Sequence, residues 1–278
     1  MKFDLHSHSN FSDGILSPEM LVSRAKEREV DVLALTDHDT IAGLNLAQKA
    51  ADECGLTLVN GIEFSSQWGK GGVHIVGLGV NINSPELLLA IEQQNTSRAG
   101  RAEQIAARLA KAGITGSLEG ARRLAGNAYV GRPHFAQYLV DVGAVSTINA
   151  AFKKYLGTGK LADVKYQWPS MSQVIDWIHQ AGGVAVLAHP CKYDLTRTKM
   201  CALIKDFALA GGDALEVVSG MQAHPVTQDL AKIAQANQLA ASCGSDFHMP
   251  GQAWQELGCF PSLPENCRPV WELLGYAA

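Results

Sequence analysis

The sequence predicts an α/β fold: a barrel of seven strands alternating with helices, interrupted by a helical insertion. Three observations point there. Short apolar runs rich in β-branched residues alternate with helical patterns along the chain. Most of these runs are continuously apolar, as strands buried on both faces are. The rhythm then stops between Ser84 and about Ala181, where no strand is read. A fixed-period repeat is absent, which excludes a solenoid or propeller.

The first strand, residues 3–5, leads into His6. Ser17-Pro18-Glu19 sets an N-cap before a proline at the first helical position and opens a helix to about Arg28. Residues 31–36 form the second strand and lead into Asp37-His38-Asp39; Thr40 then caps a helix running to about Cys54. The third strand, 56–59, leads to Gly61-Ile62-Glu63, and the fourth run is 73–78. A helix from Ser170 to about Ala181 precedes the fifth strand, 184–188, which leads into His189-Pro190. Residues 214–218 are the sixth strand; 239–243 are the seventh and lead into Gly244-Ser245-Asp246. Strand–helix–strand repetition implies a parallel sheet, and seven such units imply a closed or nearly closed barrel.

In the middle, Ser84-Pro85-Glu86 opens a long helical stretch that bends near Gly100 and ends near Gly113. Shorter helices follow near 118–125, 133–142 and 147–155. The expected organisation is therefore a barrel of residues 1–84 and 166–278 with a helical insertion at 85–165. Insertions on a barrel's C-terminal face usually shape the substrate site, so this one is expected to form part of the pocket.

Bulk properties exclude some classes. With 23 Lys and Arg against 27 Asp and Glu the net charge is −4, so no global basic field attracts nucleic acid; such a substrate would need a local cationic pocket. No signal-type apolar region opens the chain, and no apolar run reaches the length of about eighteen residues that a membrane helix needs. Cysteines 54, 191, 201, 243, 259 and 267 form no C-x-x-C pair and read as reduced thiols, so a cytoplasmic chain is expected.

Barrel catalysis sits at the C-terminal ends of strands. There the sequence places His6, His8, Asp13, His38, Glu63, His189, Asp246 and His248, while His74 falls at the start of the fourth run. His6 and His8 lie two apart, so on extended backbone both rings point to one side; Asp246 and His248 repeat that spacing. Imidazole and carboxylate are ligands for divalent transition metals. A lone strand-end histidine is usually a hydrogen-bonded structural residue. Nine such groups are harder to explain so, because carboxylates packed together without cations repel one another. Two or three closely spaced metals can share a bridging carboxylate, for which Glu63 is the candidate, and can drive in-line displacement at phosphorus.

These segments, Asp4-Leu-His-Ser-His-Ser9, Phe11-Ser-Asp-Gly14, Leu35-Thr-Asp-His-Asp-Thr40, Gly61-Ile-Glu63, Ala188-His-Pro190 and Gly244-Ser-Asp-Phe-His248, resemble the polymerase and histidinol phosphatase (PHP) family of amidohydrolase-like barrels. The resemblance implies a distorted (β/α)7 barrel of the PHP type and a metal-dependent hydrolase. It implies one metal on His6, His8, Glu63 and Asp246, a second on Asp13, His38 and His248, and a third on Glu63, His74 and His189. Many members of that family have histidine where this chain has Asp13, and the added hard oxygen favours Mn²⁺. Segments 130–135 and 152–156 resemble the subgroup that removes the 3′-phosphate from adenosine 3′,5′-bisphosphate, giving AMP, or trims short 5′-phosphorylated RNA from its 5′ end.

Such a substrate carries a non-reacting phosphate. The insertion offers Arg132, His134, Arg101 and Lys160, and also Arg98. Arginine suits the task because its fork binds two oxygens. Arg132-Pro133-His134 also opens a helix, whose N–H groups favour anions. Arg98 and Arg101 fit a solvated helix face equally well, Arg122 and Arg123 read as surface, and His134 could instead be a general acid. Asp37 or Asp39 is expected to orient the imidazole of His38, with a helix-capping role as the alternative for Asp39. The expected mechanism is attack on the 3′-phosphorus by a metal-bound hydroxide held by Glu63 and Asp246 with His38 and His189, with the ribose 3′-oxygen leaving. Alternatives are exoribonuclease action as the main role, histidinol-phosphate hydrolysis, for which no anionic amine contact is found, and a catalytically dead nucleotide sensor. The complete ligand set speaks against the last. No obligate protein partner is evident.

Overall fold

The computed structural model describes residues 1–126, 128–164 and 168–276, so the expected insertion boundary at 165 and 166 lies outside the described residues. Seven strands stand side by side in sequence order: β1 (Phe3–Asp4), β2 (Val32–Leu35), β3 (Thr57–Trp68), β4 (Gly71–Leu78), β5 (Val184–Leu187), β6 (Ala214–Ser219) and β7 (Ala240–Gly244). The ends meet: Leu5 N donates to Cys243 O at 3.1 Å, Asp246 N to His6 O at 2.9 Å and His8 N to Phe247 O at 2.9 Å. The result is a nearly closed α/β barrel. Gly244 is required at this seam, because a Cβ there would stand 2.4 Å from His6 Cβ.

One strand departs from the expected parallel order. β4 pairs antiparallel with both β3 and β5. Trp68 faces Gly71 across a two-residue turn in which Gly69 adopts a φ of 57°, a left-handed conformation that glycine takes without penalty. The reversal has a functional consequence. The start of β4 lies level with the C-terminal ends of the parallel strands, so His74 reaches the rim despite sitting early in its strand. β3 is also longer than expected: it runs through Glu63, which pairs with Val76, to Trp68.

The helices are α1 (Pro18–Glu27), α2 (Leu44–Cys54), α3 (Pro85–Lys111), α4 (Ser117–Ala125), α5 (Arg132–Asp141), α6 (Ile148–Ala151), α7 (Met171–Gln180), α8 (Arg197–Leu209) and α9 (His224–Ala236). Ser17 and Ser170 cap α1 and α7 through their side chains, as the sequence indicates. α2 starts later than expected. Thr40 Oγ1 accepts from Ala42 N in a turn, and Gly43 becomes the N-cap. A π-helical turn, Phe152–Leu156, continues α6. α8 and α9 complete the alternation on crossovers where the sequence reading placed no helix.

The chain divides into one unit of Met1–Ile91 and Pro169–Ala278 and a second of Glu92–Trp168. The division falls at Ile91 rather than Ser84 because Leu87, Ala90 and Ile91 at the start of α3 bury against the barrel core. α3 runs without interruption past Gly100, where a bend was expected. The second unit has its own core, which includes Ile105, Leu109, Phe135, Leu139 and Leu156. Among the described residues no helix is long and apolar enough to cross a membrane.

Candidate metal centre

All nine residues expected as ligands meet at one end of the barrel. Extended backbone after β1 puts His6 and His8 on the same side, with ring centroids 5.1 Å apart. Both Nε2 atoms face Glu63 Oε2, at 3.4 and 3.2 Å, and Asp246 Oδ1, also at 3.4 and 3.2 Å. Asp13 Oδ1 lies 3.2 Å from His248 Nε2, and its Oδ2 3.7 Å from His38 Nε2. Glu63 is central. Its Oε2 also faces His38 Nδ1 at 3.0 Å, and its Oε1 faces His74 Nδ1 and His189 Nε2, each at 3.0 Å.

Four groups bring their ligand atoms within 4.8 Å of one another: His8, Asp13, His38 and His248; His6, Glu63 and His189; His6, His8 and Asp246; His38, Glu63 and His74. The decisive test of fit is which atoms lack partners. His6 Nε2, His8 Nε2, Asp13 Oδ1, His38 Nδ1, Glu63 Oε2 and His189 Nδ1 are buried and make no hydrogen bond among the described residues. Five of them lie within 3.0–3.9 Å of another ligand residue, whereas His189 turns its other ring nitrogen, Nε2, to Glu63. An orphaned buried polar atom costs about 1–3 kcal/mol, and the five that face one another here are the pattern a cation-binding site leaves. All four groups also contain a carboxylate, a hard oxygen donor, which suits divalent ions.

Charge supports the same reading. Burial disfavours the imidazolium of His6, yet Glu216, Glu63 and Asp246 hold it well above the ordinary histidine range. His8 is likewise opposed by burial but raised by Asp246 and Glu63 to about 10. Glu63, Asp246 and Asp13 resist burial and are held well below the usual carboxylate range by the surrounding imidazoles. Protons thus occupy the place of cations. A histidine raised from 6.5 to about 10 stabilises the fold below pH 6.5, and that contribution is lost as pH rises toward 10. We expect the metal-depleted chain to lose thermal stability progressively across that window, and the loaded chain to lose little. Melting curves from pH 6.5 to 10, with Mn²⁺ and with EDTA, check this; equal slopes would break the link between protons and cations.

The second layer contains the residues that sequence reading missed. Glu216, in the middle of β6, places Oε1 3.1 Å from His6 Nδ1, and its Oε2 accepts from the His189 backbone N at 2.5 Å. It fixes the tautomer and direction of one ligand and the backbone of another. The signal was available: one carboxylate interrupts an apolar strand, and a buried charge requires partners. Lys192 pairs with Asp246 Oδ2, and Gln255 Nε2 donates to Asp246 O at 2.8 Å. Both leave Asp246 Oδ1 for the centre. Tyr193 donates to Ala188 O and accepts from His74 N, each at 2.9 Å. His189 and Asp246 both adopt positive φ, 26° and 54°, conformations that cluster where function imposes geometry.

Asp37 does not take the role expected of it. It accepts from Ser9 N, Ser9 Oγ and Ser12 Oγ at 2.8, 2.6 and 2.6 Å, so it orders the loop that carries Asp13. Asp39 accepts from Ser65 N at 2.7 Å and does not cap α2.

The expected substrate contacts all belong to the second unit. Arg132 opens α5, and His134 Nδ1 accepts from Gly131 N at 3.0 Å, which leaves the ring proton on Nε2. The guanidinium groups of Arg98 and Arg101 lie 5.4 and 5.8 Å from the Trp168 ring centroid, so neither is a purely solvated side chain. Lys160 is exposed in the turn after the π-helical segment, its backbone N bonded to Gly157 O.

Comparison with known proteins follows the same lines. The model of the PHP domain matches residues 4–119. A 5′-3′ exoribonuclease of Haemophilus influenzae is 45% identical over 98% of both chains. A 3′,5′-nucleoside bisphosphate phosphatase of Chromobacterium violaceum is 44% identical, over 98% of this chain and 95% of that one. The solved structure of an amidohydrolase from Chromobacterium violaceum, with bound sulfate and no metal, superposes with a TM-score of 0.90 at 43% identity, covering 99% of this chain and 96% of that one.

Proposed function

The chain belongs to the PHP-domain family, and on that premise we propose that it removes the 3′-phosphate from nucleoside 3′,5′-bisphosphates, converting adenosine 3′,5′-bisphosphate to AMP and phosphate. The observation that carries the reading is the cluster of buried imidazole and carboxylate atoms around Glu63, five of them without a hydrogen-bond partner among the described residues. His6, His8, Glu63 and Asp246 would hold one ion, Asp13, His38 and His248 a second, and Glu63, His74 and His189 a third. The hard oxygens of Asp13, Glu63 and Asp246 favour Mn²⁺. Bound there, such ions neutralise phosphoryl oxygens and acidify water for in-line attack.

The protein's own groups do the rest. Glu63 serves two ligand sets at once through its two oxygens. Lys192 and Gln255 hold Asp246, and Glu216 holds His6. We assign the non-reacting 5′-phosphate to Arg132, His134, Arg101 and Lys160 of the insertion, on the chemistry of their cationic and hydrogen-bonding groups. All six cysteines are free thiols, which supports a cytoplasmic setting. A second reading, 5′-3′ trimming of short 5′-phosphorylated RNA, draws on the exoribonuclease relative at 45% identity. Both reactions break the same phosphorus–O3′ bond.

Product analysis separates these readings from others. With Mn²⁺ the protein should release phosphate from the 3′,5′-bisphosphate and leave 5′-AMP, and EDTA should stop it. Release of phosphate from 5′-AMP itself would overturn the assignment, because the handle would then be the reacting group.

A further inference from the structure

We propose that the second unit holds a binding site of its own for an adenine nucleotide, built of other residues than the ligand cluster and the groups assigned to the substrate's 5′-phosphate. The inference goes beyond the assigned reaction and does not depend on it. A cavity of about 410 Å³ is lined by α3, α4 and residues 128–130. All its lining residues fall within Glu92–Trp168. None is a metal ligand, and none is Arg101, Arg132, His134 or Lys160. Small-molecule sites occupy roughly 300–1,000 Å³, and roughly 150 Å³ already admits a benzene ring. This cavity therefore has room for a heterocycle and its ribose.

Helical spacing builds the walls. Arg98, Ala99 and Ala102 follow Asn95 at three, four and seven residues, which is one face of α3. Leu118 and Arg122 stand one turn apart on α4. Ala102 is 5% exposed and belongs to the core of the unit, whereas Tyr129 is 37% exposed. The cavity is thus aliphatic where it meets the core and offers an aromatic ring nearer solvent. Such a ring stacks on a nucleobase.

The polar groups select the occupant. Asn95 Oδ1 is buried and accepts no hydrogen bond among the described residues. A buried acceptor requires a donor, and here the cavity is where one can enter. A carboxamide matches the edge of adenine, its oxygen accepting from N6 and its amide donating to N7. Arg98 and Arg122 bring two guanidinium groups to the same cavity, and no carboxylate lines it among the described residues. The Arg98 guanidinium also lies 5.4 Å from the Trp168 ring centroid, which braces it. Two cations without an acidic neighbour suit a phosphate dianion. Arg98 is unused by the 5′-phosphate assignment, and Arg122 reads as surface in the sequence; the cavity gives both a task. An aromatic face, an acceptor for an exocyclic amine and a pair of guanidiniums together describe a seat for adenosine monophosphate.

Calorimetric titration of the EDTA-treated full chain with AMP reads the number of sites. Two molecules should bind per chain. Arg122→Ala and Tyr129→Ala should each weaken one of the two by about 10- to 100-fold and leave the other unchanged, whereas Arg132→Ala should do the reverse. IMP, which carries oxygen in place of the N6 amine, should bind the first site about tenfold more weakly than AMP, and Asn95→Leu should erase that difference. Equal affinity of the wild type for AMP and IMP would overturn the adenine assignment. A single bound AMP weakened alike by Arg122→Ala and Arg132→Ala would make the cavity the base end of the substrate site and overturn the proposal. Binding indifferent to both Arg122 and Tyr129 would overturn it as well. Turnover is read separately: Arg122→Ala and Tyr129→Ala should keep kcat/KM for adenosine 3′,5′-bisphosphate within about twofold of the wild type. If two AMP molecules bind as expected and no phosphate is released, the site stands and the assigned reaction fails. If phosphate is released and AMP binds only through Arg132, the reaction stands and the site fails.

Discussion

Replacing Asp246 with alanine should lower phosphate release from adenosine 3′,5′-bisphosphate by roughly 10³-fold or more, about 4 kcal/mol on the barrier. The carboxylate has two separate tasks. Its Oδ1 faces the Nε2 atoms of both His6 and His8, and its Oδ2 is engaged by Lys192. Truncation removes a hard anionic donor from the centre and takes from Lys192 the carboxylate it pairs with. Cation affinity should fall together with turnover. Asp246→Asn separates charge from shape, because the amide keeps the volume and can still accept from Lys192. It should lose most of the same activity if charge on Oδ1 is what matters. The measurements are phosphate release with saturating Mn²⁺, metal content by elemental analysis, and circular dichroism to establish folding. A folded, metal-depleted Asp246→Ala protein with near-normal release would remove the metal centre from the mechanism.

How much of this was legible in the sequence depends on the kind of interaction. The nine clustered residues were readable because barrel strand ends converge, so each polar group directly after an apolar run inherits a place on one rim. His74 shows where that logic stops. It sits at the start of its strand's apolar run rather than after it, and only the antiparallel turn of β4 at Gly69 carries it to the rim. Strand direction there is a pairing choice between β3 and β5, and periodicity does not record it. Glu216 was readable in principle as a charge inside an apolar strand, but its partners lie 210 and 27 residues away. Lys192 carries no signal in the sequence; the fold alone places it beside Asp246. Asp37 misled for a related reason: its nearness in sequence to His38 suggested a partner, whereas its oxygens go to Ser9 and Ser12 across the β1–β2 edge. Local chemistry and strand-end position could be read along the chain; partnership between distant segments needed the fold.

Removing the 5′-phosphate from the substrate should cost nearly as much as removing a ligand. Adenosine 3′-phosphate presents the same reacting group as the 3′,5′-bisphosphate but lacks the handle. A charge-assisted hydrogen bond contributes about 1.5–3 kcal/mol, so losing two such bonds should lower kcat/KM by roughly 10² to 10⁴-fold. The enzyme side of the same contact gives the matching experiment. Arg132 sits at the start of α5, behind which His134 is fixed by its bond from Gly131 N. A guanidinium and the N-terminal amides of a helix both favour a dianionic phosphate. Arg132→Ala should therefore lower kcat/KM for the bisphosphate by about 10²-fold while leaving the already poor adenosine 3′-phosphate nearly unchanged. Non-additivity of this kind ties the residue to the group it binds, which a loss of folding would not reproduce, since that would depress both substrates alike. Equal loss on both would detach Arg132 from the 5′-phosphate and move the handle to Arg101 or Lys160, where the same pair of substrates would find it.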